Sequence, residues 1–486
     1  MKNLFFKKKD ALITYGGEYT YENERYIIAY EGELYLNNKR LACEELVCFL
    51  EKDGDIALID GLYSLVVYSK SSEELTVSQD IISYFHPMYF SATDSAFAVS
   101  VSMRELIAQN EMKAEMEDSH IPEFLYNGFL TDDRCLIKGI KKVPAMHIMR
   151  YNFARGELRY QKRDYLPDEI SHINSDYISL LEENIKSEIE GCSELNIALS
   201  SGFDSNLLLH IISSIAPECK INAFCIGSSK GNDEVENVKK ICEAYPQIKL
   251  SVCEVSPSIL KSFPQMVYEL EDSIFERGIF LQYMLAQALD TKSNFPVFLG
   301  EGADQLLSSE FSLDVSPYFF VGKKEHYPWV YYPYEMLSYI IIKKNGIFLR
   351  NRDIKAKYPF IRANFIDGVI KYRKLNGTGK EHYKKYVVES LRPEVSPMLV
   401  KRPGSTNLTS LFDEDNTEKI FRAAKSSRFY PMLTEQPDRD SGNEVDMDNC
   451  LKIIYLMLFE RIFCSSQNSD SLKEDICDFD FEKLFY

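Results

Sequence analysis

The residues with the clearest chemical purpose lie between Leu195 and His210, in the string LNIALSSGFDSNLLLH. An apolar, β-prone run (Leu195, Ile197, Leu199) passes into Ser200-Ser201-Gly202-Phe203-Asp204-Ser205 and then into an apolar, helix-like stretch through Ile212. Strand, small hydroxyl-bearing turn and helix is the layout of an anion cradle. Successive backbone N–H groups at the helix start face the anion, with the positive end of the helix dipole behind them. Gly202 allows close approach, and Ser200, Ser201 and Ser205 add hydroxyl donors. Asp204 is the unusual member. A carboxylate beside phosphates is repelled unless a cation lies between them, which implies Mg²⁺. No GxxxxGK[ST] motif occurs at this turn, so it is not a Walker-type loop. An ordinary βα turn is the competing reading.

A second constellation, Leu299-Gly300-Glu301-Gly302-Ala303-Asp304-Gln305, follows the apolar run Phe295 to Leu299. Two glycines around a carboxylate, with another carboxylate three residues on, make poor helix and poor core. Burying Glu301 and Asp304 without partners would be costly, and a metal ion or a cationic or amine substrate would compensate.

The elements that must position these residues alternate. A helix over 177–192 leads into the loop strand, Lys220 to Gly227 is a second strand, and Asn232 to Ala244 is a helix opened by Asp233-Glu234. Lys249 to Val255 and Phe295 to Leu299 are further strands. This predicts a parallel sheet with helices on both faces and ligands at the carboxyl ends of the strands. Asp233-Glu234 serve either as first-turn capping acids or as part of a nucleotide site. Residues 1 to about 110 read as β-rich. Arg25 to Tyr30 is a strand, Glu31-Gly32-Glu33 a turn, Leu34 to Leu36 a resumed strand, and Leu41 to Lys52 a helix. Leu62 to Tyr68 with Glu74 to Val77 forms a hairpin, followed by strands over Tyr84 to Phe90 and Phe97 to Ser100. Helix-like runs recur around Ile420 to Ala424 and Cys450 to Phe463.

Composition bounds the function. A formal net charge of −18 argues against binding nucleic acid or anionic membrane through bulk charge. Eleven scattered cysteines with no CxxC pair suit reduced thiols. The start, MKNLFFKKKD, has too short an apolar run for a secretion signal, and no stretch reaches membrane-span length. A cytoplasmic protein is expected.

The loop resembles the SGGxDS pyrophosphate loop of enzymes that split ATP into AMP and pyrophosphate, with Ser201 at the usual second glycine. GEGAD at 300–304 matches in full a signature of the synthetase half of asparagine synthetases. The phrases YIIAYEGELYL, IDGLYSLVVYS, ELTVSQDIISYFHPMYF and AFAVSVSMRELI, with Phe124 to Leu130 and Leu136 to Pro144, resemble that family's glutaminase half. The resemblance implies an Ntn-hydrolase-like β-rich sandwich over 1–165 and an adenine nucleotide α-hydrolase-like parallel-sheet domain with a helical C-terminal part over 166–486. It implies ATP and Mg²⁺, with Ser200, Ser201, Gly202, Asp204, Ser205, Asp233 and Gly300 around the nucleotide. Asp204 and Asp304 would bracket the metal, and Glu301 would be the general base for an amine. Lys357-Tyr-Pro-Phe-Ile-Arg362 resembles the family's RxPFLD, with lysine for arginine and arginine for aspartate. Lys384-Lys385-Tyr386 resembles a KY pair that opens a helix facing the triphosphate. A further lysine, which neutralises charge as pyrophosphate leaves, is Lys401 in one register, whereas another register puts Gly404 there.

The departures bear on the amine donor. The family's glutaminase nucleophile is an N-terminal cysteine; here residue 2 is Lys2, and the asparagine of its NGE phrase is Glu31. The N-terminal half therefore reads as a glutaminase-like scaffold without glutaminase chemistry. That loss resembles β-lactam synthetases and lasso peptide cyclases, in which the substrate's own amine attacks. The substrate would be a small-molecule or peptide carboxylate, with a precursor peptide and its leader-processing proteins as partners in the cyclase case. An asparagine synthetase using free ammonia and a non-catalytic binder of ATP or peptide are the other readings. Specificity is expected between Asp272 and Phe320 and around Pro359.

Overall fold

A computed structural model describes all residues except 1–3, 38, 81–86, 94–95, 146, 164–175, 228–232, 291–294, 304–342, 377–379, 400–407, 409–410, 435–445 and 465–486. The N-terminal part is a sandwich of two largely antiparallel sheets. Its strands are β1 (Phe5–Lys9), β2 (Leu12–Gly16), β3 (Tyr19–Glu22), β4 (Tyr26–Leu36), β5 (Lys39–Arg40), β6 (Asp60–Ser69), β7 (Glu74–Gln79), β8 (Tyr89–Ala92), β9 (Ala96–Ser100), β10 (Lys141–Lys142), β11 (His147–Asn152) and β12 (Glu157–Lys162). One sheet runs β10-β8-β9-β1-β2, the other β12-β11-β7-β6-β4-β3, with β5 on β4. Alternation along β4 explains the layers. Ile27 and Ala29 face the sandwich core with Phe6, Val66, Val99 and Met149, while Ile28 and Tyr30 pack the outer face against Leu46 and Leu50 of helix α1 (Cys43–Glu51).

The expected turn at Glu31-Gly32-Glu33 does not occur. β4 runs unbroken through it, paired with β6 from Tyr26↔Ser69 to Tyr35↔Asp60. Gly32 takes φ +89°, so a residue that reads as a turn absorbs a local twist while the ladder continues. The expected hairpin is β6–β7. The basic start, within the stretch expected to be β-rich, supplies β1, between β9 and β2.

Helices α2 (Met103–Gln109) and α3 (Ile121–Asn127) lead to the second part. It alternates α4 (Tyr177–Ile189), β13 (Glu194–Ala198), α5 (Phe203–Ile215), β14 (Lys220–Gly227), α6 (Asp233–Glu243), β15 (Ile248–Glu254), α7 (Phe263–Leu270) and α8 (Ile279–Asp290), then β16 (Val297–Phe298) and β17 (Ala356–Lys357). The parallel sheet is ordered β15-β14-β13-β16-β17. Chain order reverses between β13 and β16, where a crevice opens at the carboxyl ends of such sheets. Helices follow, including Ala363–Asn376, Lys380–Ser390, Glu414–Ser426 and Met447–Cys464. Among the described residues no helix is long and apolar enough to cross a membrane. Lys384 and Lys385 lie within the helix Lys380–Ser390 and do not open it.

One hydrophobic core spans both parts, joining Tyr89, Met103, Phe124 and Ile137 to Leu181, Leu208, Phe263 and Tyr455. Buried polar contacts seam the same boundary. Glu271, in a left-handed turn at φ +49°, accepts from the Ser102 hydroxyl (2.9 Å), the Arg104 N–H (3.0 Å) and the Arg104 Nε–H (2.8 Å). Asp272 is fully buried and pairs with buried Lys142 at 3.1 Å. The first residue of the expected specificity segment is therefore an inter-domain anchor; Phe320, at its other end, lies outside the described residues.

Asp367, on the helix Ala363–Asn376, lies near Asp60 of β6 with no hydrogen-bond partner for Oδ1 among the described residues. Burial, with Asp60 nearby, pushes its carboxyl up to about 7. Because the folded pKa exceeds the unfolded one, near 3.9, the carboxyl's contribution to stability is complete below about pH 4 and is lost as pH rises through 7. Asp367→Asn is thus expected to raise Tm by about 2–4 °C at pH 8 and to give no gain at pH 4. A pH-independent shift in thermal melts would show that Asp367 is not the group responsible.

Candidate functional site

The crevice between β13, β14 and β16 is a cleft of about 370 Å³, lined among others by Ser200, Gly202, Asp204, Ser205, Glu234, Gly300 and Glu301. Apolar Phe224, Ile226, Leu281 and Leu285 complete it. Polar groups that fix an anion beside apolar walls that accept a flat ring system suit a nucleotide. The two constellations far apart in sequence thus meet in space.

The loop after β13 is held in shape by its own side chains. The Ser200 hydroxyl accepts the Gly202 N–H at 3.1 Å, and the Ser205 hydroxyl accepts the Ser200 N–H at 3.2 Å. The Asn206 amide donates to the Ser200 and Gly202 carbonyls at 2.8 and 2.7 Å. The carbonyls of a tight turn need partners, so a buried asparagine just behind the motif was the available sequence signal for this role. Phe203 opens α5, and Asp204 lies in its first turn.

Ser201 is directed elsewhere. It is fully buried, and both its N–H (2.8 Å) and its hydroxyl (2.5 Å) donate to the Glu234 carboxylate, which reaches over from the first turn of α6. Glu234 therefore ties α6 to the loop while also lining the cleft, a role beyond the helix capping and nucleotide contact weighed for Asp233-Glu234. Asp233 is the first residue of α6. Glu234→Ala would leave two buried donors without this acceptor, at about 1–3 kcal/mol per group. A fall in stability of about 2 kcal/mol or more is expected in urea unfolding. Adding Ser201→Gly is expected to recover part of it; no recovery would mean the hydroxyl contact is immaterial.

Gly300 and Gly302 let the second constellation approach. A β-carbon at Gly300 would lie 3.1 Å from the Ser205 nitrogen and 3.2 Å from the Asp204 β-carbon. Gly302 sits at φ +106°, and a β-carbon there would meet Ile361 Cγ2 at 2.7 Å. Glu301, between them, lines the cleft. Asp304 and Lys401, with Gly404, lie outside the described residues. Asp204 and the Ser200 and Ser205 hydroxyls are oxygen donors of the kind Mg²⁺ takes. Among the described residues no three His, Cys, Asp or Glu side chains gather into a metal cluster.

Known proteins give the site a context. A glutamine amidotransferase domain model matches residues 6–165, and an asparagine synthase model matches residues 176–392. The chain is 20% identical over 314 residues to a glutamine-hydrolyzing asparagine synthetase of Bacillus subtilis, covering 60% of this chain and 49% of that protein. A probable glutamine-hydrolyzing asparagine synthetase of Acanthamoeba polyphaga mimivirus is 20% identical over 372 residues, covering 72% and 65%. The chain thus spans about half the length of the Bacillus protein. Among solved structures, a glutamine-dependent NAD⁺ synthetase from Acinetobacter baumannii aligns over 74% of this chain and 63% of that one, at 14% identity and TM-score 0.23. An amidotransferase model followed by an asparagine synthase model, on a chain that folds as a sandwich followed by a nucleotide-type sheet, makes this protein a member of the asparagine synthetase superfamily.

Proposed function

We propose that the protein is an ATP-dependent, AMP-forming amide ligase that works without glutamine hydrolysis, with the amine carried by the substrate itself. The observation that carries this reading is the convergence of Asp204 and the loop hydroxyls with Glu301 in one cleft. ATP would lie along the loop, its phosphates toward the N–H groups at the start of α5. Asp204, with Asp304, would hold Mg²⁺, which would supply charge neutralisation on the pyrophosphate. A substrate carboxylate oxygen attacks the α-phosphorus, the bond to the β-phosphate oxygen breaks, and pyrophosphate leaves. The amine nitrogen then attacks the acyl carbon, AMP leaves with its electron pair, and Glu301 takes the proton the nitrogen loses. Positioning and preorganised charge supply most of the acceleration, with Lys401 assigned to the departing pyrophosphate.

Two contacts support the absence of glutaminase chemistry. Glu31, at the family's asparagine position, is buried, and its carboxylate lies 3.8 Å from the Arg350 guanidinium of the ligase half. Glu33 is bound to Lys357 at 2.5 Å, and this pairing, against the pull of burial, holds its carboxyl below the usual range. Both acids are committed to the domain boundary, where they serve structure. Ser201, at the usual second glycine of the loop, is accommodated by Glu234 and need not obstruct the cleft.

The test is to supply ATP with pools of β-amino acids, aspartate and peptides, and to follow nucleotide products with glutamine, ammonium or neither. AMP and pyrophosphate formed without either nitrogen source are expected. ADP and phosphate, or turnover that depends on glutamine, would overturn the proposal. Turnover that depends on ammonium would favour an ammonia-using asparagine synthetase.

A further inference from the structure

Lys357 and Arg362, the two charged residues by which the segment 357–362 departs from the family phrase, do not line the cleft. Both turn toward the N-terminal sandwich. Lys357, 8% exposed, reaches Glu33 of β4 at 2.5 Å. Arg362, 3% exposed, donates to Asp60 of β6 at 3.0 Å and to Glu188 of α4 at 3.1 Å, and its guanidinium lies over the Tyr35 ring at 4.3 Å. Asp60 is the ladder partner of Tyr35, and Leu62 that of Glu33, so both anchors belong to one end of the β4–β6 ribbon. The segment is clamped at its two ends by one rigid patch.

What lies between the clamps touches the ligase loop. The Asn184 amide donates to the Pro359 carbonyl at 3.2 Å. Ile361 and Phe360 press on Gly302, where an added β-carbon would come within 2.7 and 3.5 Å of them. β17, which ends at Lys357, also flanks β16: the Leu299 N–H donates to the Lys357 carbonyl at 3.1 Å. Gly300, one residue on, abuts Ser205 and Asp204. A continuous path of contact runs from the sandwich through Lys357 and Arg362 to Gly302, Glu301 and the anion loop.

We propose that Lys357 and Arg362 are positioning residues, through which the amidotransferase-like domain serves as a brace that sets the Leu299–Gly302 turn and hence Glu301. The inference deepens the proposed ligase reading and assigns the N-terminal half a present task in that reaction. A merely cohesive boundary would lower overall stability without singling out this turn, whereas a brace acts on it locally.

Hydrogen exchange of the full chain distinguishes these, because it requires no turnover and stands whether or not the ligase reading holds. Glu33→Gln is the mild variant, altering a partly exposed side chain outside the ligase half; Lys357→Met is the strong one. Both are expected to speed amide exchange in the peptide covering 297–303 by about tenfold relative to a control peptide from β14, and to weaken MgATP binding severalfold in calorimetric titration. Lys357→Arg, and the charge-swapped pair Glu33→Lys with Lys357→Glu, are expected to restore protection. Unchanged exchange in 297–303 in the Glu33→Gln protein, or a uniform rise across all peptides with no rescue by Lys357→Arg, overturns the brace. If Lys357→Met fails to fold, the Glu33→Gln and Lys357→Arg proteins decide the question.

Discussion

Asp204→Ala is expected to reduce exchange of pyrophosphate into ATP by about a hundredfold or more, a loss typical of removing one preorganised electrostatic group. Its effect on folding should be small, because a first-turn acid on a partly exposed helix end contributes only about 0.3–1 kcal/mol through the dipole. The sign of the metal dependence is the sharper test. Without Mg²⁺ the Asp204 carboxylate repels the triphosphate, so the alanine protein should bind free ATP as well as the parent or better. With Mg²⁺ the order should reverse. Calorimetric titration of both proteins with ATP in EDTA and with MgATP gives the four affinities. If Asp204→Ala weakens both forms equally, Asp204 shapes the loop and holds no cation.

Gly302→Val is expected to eliminate ligation while leaving the loop after β13 able to bind nucleotide. A β-branched residue at φ +106° is a genuine backbone outlier, with strain of about 1–3 kcal/mol. The added carbon would also lie 2.7 Å from Ile361, in a core where little can give. Relief must come either from the backbone of 300–302, which displaces Glu301, or from the segment 357–362. Glu301→Gln serves as the chemical control: it removes the proposed base without disturbing the backbone, and the two variants should resemble each other in turnover and differ in Tm, Gly302→Val being lower. A valine protein with parental turnover would show that the geometry of this turn is not required.

The anion loop and the acidic turn were legible because each is a short, contiguous string whose chemistry conflicts with ordinary helix or core. A parallel sheet followed from alternating apolar runs, and the order reversal between β13 and β16 then brought the strings together. The supports were not legible in the same way. Glu234 and Ser201 are 33 positions apart, and Lys357 and Glu33 are 324 apart, so no local period connects them. Glu31-Gly32-Glu33 read as a turn because glycine and glutamate both disfavour strands; a complete ladder with β6 overrides that preference. β17 is two residues long, below what a hydrophobic pattern can reveal, and Lys357 looked like a degraded motif because its partner lies in the other half of the chain.

The core shared by the two halves has a consequence for how such a chain can change over time. Tyr89, Phe124, Leu125 and Ile137 are buried in one continuous core with Leu181, Phe263 and Tyr455 of the second part, and the Phe124 and Tyr455 rings lie 5.4 Å apart across the boundary. A gene that lost its first 165 codons would expose a broad apolar face on the remaining enzyme and invite aggregation. A change of chemistry in the sandwich would therefore open no route to loss of the sandwich itself. Its inheritance is enforced by solubility, and charges such as Glu31 and Glu33 at the boundary are held to those that serve the neighbour it cannot leave.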